Sequence, residues 1–229
     1  MYKTAFIALA LLAPVAPLAP QAQFDHLVVA VRSLDEGVAE FERLTGVKAG
    51  VGGKHPGRGT ENALVSFGGG KYLEIIAPQA GATLAPRDQG MLKLDRLRII
   101  GWAVSVTDVD QAVTALKAAG FAATTPQPGS RVTPAGETLE WTTFGLSNEP
   151  IAMAPFFIKW GASTKHPSTT APGGCEMPSL KIVDPASDRL SAALGSLRVS
   201  GVTYENGALR IEAEVRCGSR TATLVTPPL

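Results

Sequence analysis

The feature that most constrains the fold is a repeat. Phe24–Val31 (FDHLVVAV) and Ile99–Val106 (IIGWAVSV) are both strongly β-prone, and each runs straight into an amphipathic helical pattern. Offset by 75 positions, Leu27, Val29 and Val31 fall on Trp102, Val104 and Val106. The match continues into the helix, with Ser33 on Asp108, Leu34 on Val109, Asp35 on Asp110, Val38 on Val113 and Phe41 on Leu116. Such self-similarity implies one supersecondary unit written twice. It also sets His26 where the concave floors of the two units meet.

In the first unit, Ser33-Leu34-Asp35-Glu36 reads as a capping box opening a helix that Gly46 stops. Gly50–Gly59 reads as a glycine-rich loop carrying His55, Arg58 and Thr60. It lacks the GK[ST] ending of a phosphate loop and opens no helix. Two β-prone runs, Asn62–Phe67 and Lys71–Ile76, flank Gly68-Gly69-Gly70 as a hairpin. Residues 78–95 form a bridge with a short helix expected at Asp88–Arg96. In the second unit Gly120 ends the helix, and strands are expected at Arg131–Thr133, Glu137–Phe144 and Pro155–Trp160. The tail offers a helix at Asp188–Leu194 and strands at Leu197–Tyr204, Leu209–Cys217 and Thr221–Val225. Asn206-Gly207 reads as a hairpin turn between the first two of those strands.

A net charge of +1, with 18% charged residues and scattered basic side chains, gives no footprint for nucleic acid or an anionic membrane. Residues 1–23 resemble a bacterial secretory signal: Lys3, then an apolar run too short to span a bilayer, then a Pro/Ala stretch. That reading sends the protein to the periplasm or outside the cell; a misassigned start would leave it cytoplasmic. Cys175 and Cys217 form no CxxC pair, and are either one disulfide in an oxidising compartment or two free thiols.

FDHLVVAV with its SLDE helix, HPGRGTENALVSFGGGKYLEIIAP, GWAVSVTDVDQAV, and PFFIKW followed by HPS together resemble the vicinal-oxygen-chelate superfamily, and within it the glyoxalase-like domain proteins. The resemblance implies an α+β fold: two tandem βαβββ units forming a curled mixed sheet around a cleft. The expected divisions are 24–168 for that domain (units 24–80 and 97–168) and 169–229 for a short β-rich C-terminal extension. It further implies that the first and last strands of each unit can each point one metal ligand inward. His26 and Glu74 match those positions in the first unit. In the second, the offset puts Gly101 at the first position and the last strand puts Lys159 at the other, and neither ligates a divalent ion. Half of the four-ligand pattern is missing.

The chain has only three histidines, all within the resembling pieces. His26, His55 and Glu74 form a candidate two-nitrogen, one-oxygen set for a divalent metal, with positions open to a substrate chelate. His166 is a candidate proton shuttle, and Glu74, buried in an apolar strand, a candidate catalytic carboxylate. Arg58, Asn62, Trp141, Phe157 and Lys159 are candidate substrate-binding residues. Two functions stay open. One is a metal-dependent lyase or isomerase acting on a small molecule with neighbouring oxygens. The other is a metal-free small-molecule binding or resistance-type protein, with Arg58 and Lys159 holding an anionic group and Lys159 as the Glu74 counter-ion. Proteins of this fold can share a cleft between two chains, so a homodimer stays open as well.

Overall fold

A computed structural model of the chain describes residues 22–147 and 151–226. The first unit runs β1 (Ala22–Ala30), α1 (Leu34–Thr45), β2 (Gly50–His55), β3 (Thr60–Gly68) and β4 (Lys71–Pro78). After a 3-10 segment at Pro86–Lys93, the second unit follows with β5 (Arg98–Val106), α2 (Val109–Ala118), β6 (Ala122–Ala123), β7 (Gln127–Val132), β8 (Thr138–Phe144), β9 (Leu146–Ser147) and β10 (Phe156–Trp160). Eight strands make one sheet in the order β2-β3-β4-β1-β5-β10-β8-β7, while β6 and β9 pair in a small ladder of their own. Within each unit the first and last strands lie side by side and parallel. The two βαβββ units are therefore mirrored in strand order about the β1–β5 junction.

The repeat offset reappears as geometry. β1 and β5 run antiparallel, and Leu27 faces Trp102, its own equivalent in the second unit. A residue facing its repeat mate across an antiparallel pair marks a local two-fold axis, so the units meet through their first strands. Leu27, Val29, Leu73, Ile75, Trp102 and Val104 point to one face of the sheet and are fully buried with Phe41 of α1 and Leu116 of α2. The opposite face, with His26, Val28 and Glu74, lines a cavity.

The sheet curls until its two edges approach. Arg131 of β7 donates a hydrogen bond to the Gly52 carbonyl of β2. β2 is thus a strand where the sequence suggested a loop: four of its six residues are glycine or lysine, and its order comes from pairing with β3, not from propensity. Glycine is required here. A Cβ at Gly53, where φ is +142°, would lie 2.5 Å from the Val132 carbonyl oxygen, and one at Gly52 would lie 2.3 Å from Asn62 Oδ1.

Other local expectations divide. Gly46 adopts the left-handed conformation that closes α1, and Gly69 and Gly70 both take positive φ in the β3–β4 hairpin. The capping box does not form, because Glu36 is held by Arg32 at 2.9 Å instead of reaching back to Ser33. The equivalent Asp108 does cap α2, accepting from the Gln111 amide. Ala22 and Gln23 already pair with β5 as the start of β1; the rest of the expected signal segment lies outside the described residues.

Beyond Pro167 the chain forms β11 (Cys175–Val183), α3 (Ser187–Ser196), β12 (Thr203–Glu205), β13 (Arg210–Cys217) and β14 (Arg220–Val225). Their sheet order is β12-β11-β13-β14. The expected Asn206-Gly207 hairpin is therefore overturned: β11 sits between β12 and β13, and Asn206 instead donates to the Pro185 carbonyl. β11 was not among the expected strands; it contains Pro178, which falls at a register break between Glu176 and Ser179. Cys175 and Cys217 face each other across β11 and β13 and are joined in a disulfide. Leu180, Ile182, Leu190 and Leu194 bury into the same core cluster as β1 and β5, so the hydrophobic core is continuous across residue 168. No helix among the described residues is long and apolar enough to cross a membrane.

Candidate functional site

The cavity inside the curl measures about 910 Å³. Its polar end is built by residues of four strands: His26 on β1, His55 at the end of β2, Asn62 on β3 and Glu74 on β4. Its flank is apolar, with Val28, Met91, Ile100 and Phe156. A hydrophobic wall with a few convergent polar groups is the usual form of a small-molecule site.

A bulge shapes the centre. Phe24 pairs with Val104 and His26 with Ala103, leaving Asp25 as the extra residue. Asp25 is fully buried and accepts three hydrogen bonds: from His26 Nδ1 at 2.6 Å, from Trp160 Nε1 at 3.1 Å and from His166 Nε2 at 3.2 Å. Burial alone would push its carboxyl up; the two histidines outweigh this and hold it far below the usual carboxylate range. An ionised Asp25 fixes the proton of His26 on Nδ1, so in the neutral imidazole Nε2 faces Glu74 with its lone pair. Tyr72 stacks on the same ring, with centroids 4.5 Å apart.

Glu74 lies between two imidazoles. His26 Nε2 is 3.8 Å from one of its oxygens and His55 Nε2 is 3.5 Å from the other. Asn62 donates to Glu74 at 2.6 Å, and His55 Nδ1 meets the Thr60 hydroxyl at 3.0 Å. Burial pushes Glu74 up, but His55, His26, the Asn62 hydrogen bond and Arg58 together keep its carboxyl below the ordinary range. Burial also pushes the His55 imidazole down, against the pull of Glu74, which favours its neutral form. The centre thus holds an ionised carboxylate flanked by two histidine nitrogens, each ring anchored through its other nitrogen.

The remaining candidates are placed as follows. Trp141 lines the cavity edge-on to His55. Arg58 also lines it, but its guanidinium is held by Asp88 through bonds of 2.7 and 3.1 Å. His166 stands behind the centre, on the far side of Asp25. Phe157 does not reach the cavity: it is fully buried in the core, stacked on Phe144, and its neighbour Phe156 faces His26 instead. Lys159 is exposed and lies on a shallow depression beside Thr142 and Trp160, away from Glu74. Register explains the shift. Val28 pairs with Glu74, and in the second unit Ala103, two residues beyond Gly101, pairs with Phe156. Phe156, not Lys159, occupies the place of Glu74. Two residues were missed from sequence: Asp25, hidden by the bulge, and Arg131, which lines the cavity from β7.

These positions set the chain among known proteins. A model of the glyoxalase-like domain matches residues 24–198. The chain belongs to the glyoxalase-like domain family. That family sits in the vicinal-oxygen-chelate superfamily, in keeping with the paired βαβββ units. Among solved structures, a hypothetical protein from Staphylococcus aureus superposes with a TM-score of 0.67 at 14% identity, covering 91% of this chain and 100% of that one. The shared fold thus includes most of the C-terminal sheet. The methylmalonyl-CoA epimerase of Mycobacterium tuberculosis gives a TM-score of 0.42 at 17% identity over 59% of this chain and 86% of its own. The Streptomyces coelicolor enzyme with 2-nitronate-propionyl-CoA gives 0.43 at 17%, over 61% and 97%. Both are too loosely superposed to inform the site. No curated protein sequence matches the chain.

Whether this glyoxalase-like centre suits a divalent ion is a matter of donors and spacing. Two anchored imidazole nitrogens and an ionised carboxylate are the right donors. Among the described residues, no group of three or more His, Cys, Asp or Glu side chains is placed to hold a metal ion. Ligands at ~2.1 Å from one ion sit roughly 3.0–3.4 Å apart, and the gaps of 3.8 and 3.5 Å, each to a different Glu74 oxygen, are wider than that. The donor chemistry fits; the spacing needs closure.

Proposed function

We propose that the protein is an enzyme of the vicinal-oxygen-chelate type, acting on a small molecule with neighbouring oxygens, with His26, His55 and Glu74 taking up a divalent ion. The observation that carries this reading is the pair of imidazole Nε2 atoms flanking one buried, ionised carboxylate. The ion, when bound, would polarise a substrate oxygen and stabilise negative charge developing on it. Asp25 keeps His26 in the tautomer and orientation that present Nε2. Asn62 holds the Glu74 carboxylate, and Thr60 orients His55. Val28, Met91 and Phe156 exclude water from the substrate's apolar part. Proton transfer at a carbon beside the chelated oxygens, as a lyase or isomerase requires, is the chemistry these groups suit.

The test is elemental analysis of protein purified without chelator, beside His26→Ala and His55→Ala. About one equivalent of a first-row divalent metal per chain, lost in both variants, is the expected result. A folded native protein that neither retains nor takes up metal would sink the metal part. A second reading would then stand: a metal-free binding protein, which the existing Asn62–Glu74 bond and the non-ligating Gly101 and Phe156 favour. The disulfide supports a location in an oxidising compartment. Fractionation, with the mass of the exported chain, tests that; an uncleaved cytoplasmic chain with free thiols would refute it.

A further inference from the structure

Four cations were expected or found near the cavity, and they differ in what holds them; Arg87 is exposed and lies 3.8 Å from Asp88. Arg58 is neutralised by a bidentate bond to Asp88. Lys159 lies outside. Arg131 is 4% exposed, lines the cavity, and makes no ion pair within 4 Å among the described residues. Its one hydrogen bond recorded there goes from Nη1 to the Gly52 carbonyl. Burial pulls the guanidinium down from its usual value, with Glu74 and Tyr72 opposing, yet an arginine stays protonated in a protein. A buried charge with no counter-ion in contact is costly, and a guanidinium presents a planar fork of donors of which Gly52 uses only part. The slot is built for it: a Cβ on Gly53 would come within 3.2 Å of Nη1.

We infer that Arg131 is the anchor for a carboxylate on the ligand, so that the cavity selects small carboxylic acids over neutral molecules of the same shape. The inference deepens the proposed function by naming a substrate class, and it rests on that reading only for the location of the site. Arg131 reaches the cavity from β7, while the histidine–glutamate centre stands on β1, β2 and β4. A carboxylate held at Arg131 therefore leaves the rest of the molecule directed at His26, His55 and Glu74. A guanidinium fork meets carboxylate or phosphate with two parallel hydrogen bonds; the singly charged carboxylate is the better match for one cation in a cavity that already holds ionised Glu74. Substrate specificity would then come from the second unit, and the reactive centre from the first.

The test is calorimetric titration of chelator-treated native protein with a small 2-hydroxy carboxylate, its neutral amide, and inorganic phosphate. Working without metal keeps the outcome separate from that of the metal reading. The carboxylate is expected to bind at least about ten-fold more tightly than the amide, the worth of a charge-assisted hydrogen bond. Arg131→Gln should abolish that preference, the carboxylate losing clearly more affinity than the amide. Arg131→Lys, retaining charge without the fork, should keep a reduced preference, and serves if the glutamine variant does not fold. Equal loss of both ligands in the variants would mean that Arg131 only closes the sheet, and would overturn the inference. So would tighter binding of phosphate than carboxylate, or no discrimination by the native protein.

Discussion

Asp25→Asn tests whether the bulge carboxylate organises the site as described. The substitution conserves volume but leaves one carbonyl oxygen where two carboxylate oxygens now accept three hydrogen bonds. If that oxygen keeps the 2.6 Å bond to His26, the new amide must face the Trp160 Nε1 donor at 3.1 Å, setting donor against donor in a fully buried position. Losing the Trp160 bond, forcing His166 to switch tautomer or lose its bond as well, and weakening the one to His26 is worth about 2–4 kcal/mol of folding stability. For a domain of this size that lowers the melting temperature by roughly 5–15 °C. The assay is chemical and thermal unfolding in chelator, followed by far-ultraviolet and tryptophan signals.

The pH dependence supplies the sign. Asp25 has a depressed pKa in the folded protein, so its stabilisation is full above the unfolded value near ~4 and is lost as pH falls below it. The gap between native and variant should be widest near neutrality and shrink in acid. A gap under about 1 kcal/mol at neutral pH, or one that does not change with acid, would refute the account of Asp25.

Three further outcomes are expected. Gly53→Ala should destabilise by roughly 2–4 kcal/mol, since it combines positive φ with a Cβ 2.5 Å from a backbone oxygen; wild-type-like unfolding would show that the sheet edges do not meet as described. Gly101→Ala should do the opposite. Its Cβ meets nothing within 4 Å and its φ is not positive, so a gain of about 0.5–1 kcal/mol is expected in urea unfolding. Reducing the Cys175–Cys217 disulfide, which spans a sequence separation of 42, should lower stability by up to about 4 kcal/mol by the chain-entropy estimate. Unchanged unfolding after reduction would show that the C-terminal sheet holds by packing alone.

How legible the site was depended on parity. His26 and Glu74 alternate regularly with the residues that follow them, Leu27–Val31 and Ile75–Ala77, so their shared face is legible there. Phe156 and Phe157 could not be told apart, because consecutive apolar residues give no parity and only the pairing of β10 with β5 chooses between them. Asp25 stood beside a named histidine yet escaped notice, since a simple alternation sends it to the opposite face and the bulge reverses that. Arg131 was read as part of a strand, but nothing local signals that its partner is a glycine carbonyl 79 residues earlier.

The sequence by itself determined the repeated unit and the strand-then-helix opening of each copy. These depend on hydrophobic periodicity, cap glycines and turn chemistry, all written in neighbouring residues. The tertiary structure alone decided that β2 is a strand, that β11 separates β12 from β13, that the cysteines pair, and which cation has no counter-ion in contact. Each of these depends on what distant backbone arrives alongside. Backbone pairing and buried charge balance are properties of the assembled neighbourhood, and residue type alone does not encode them.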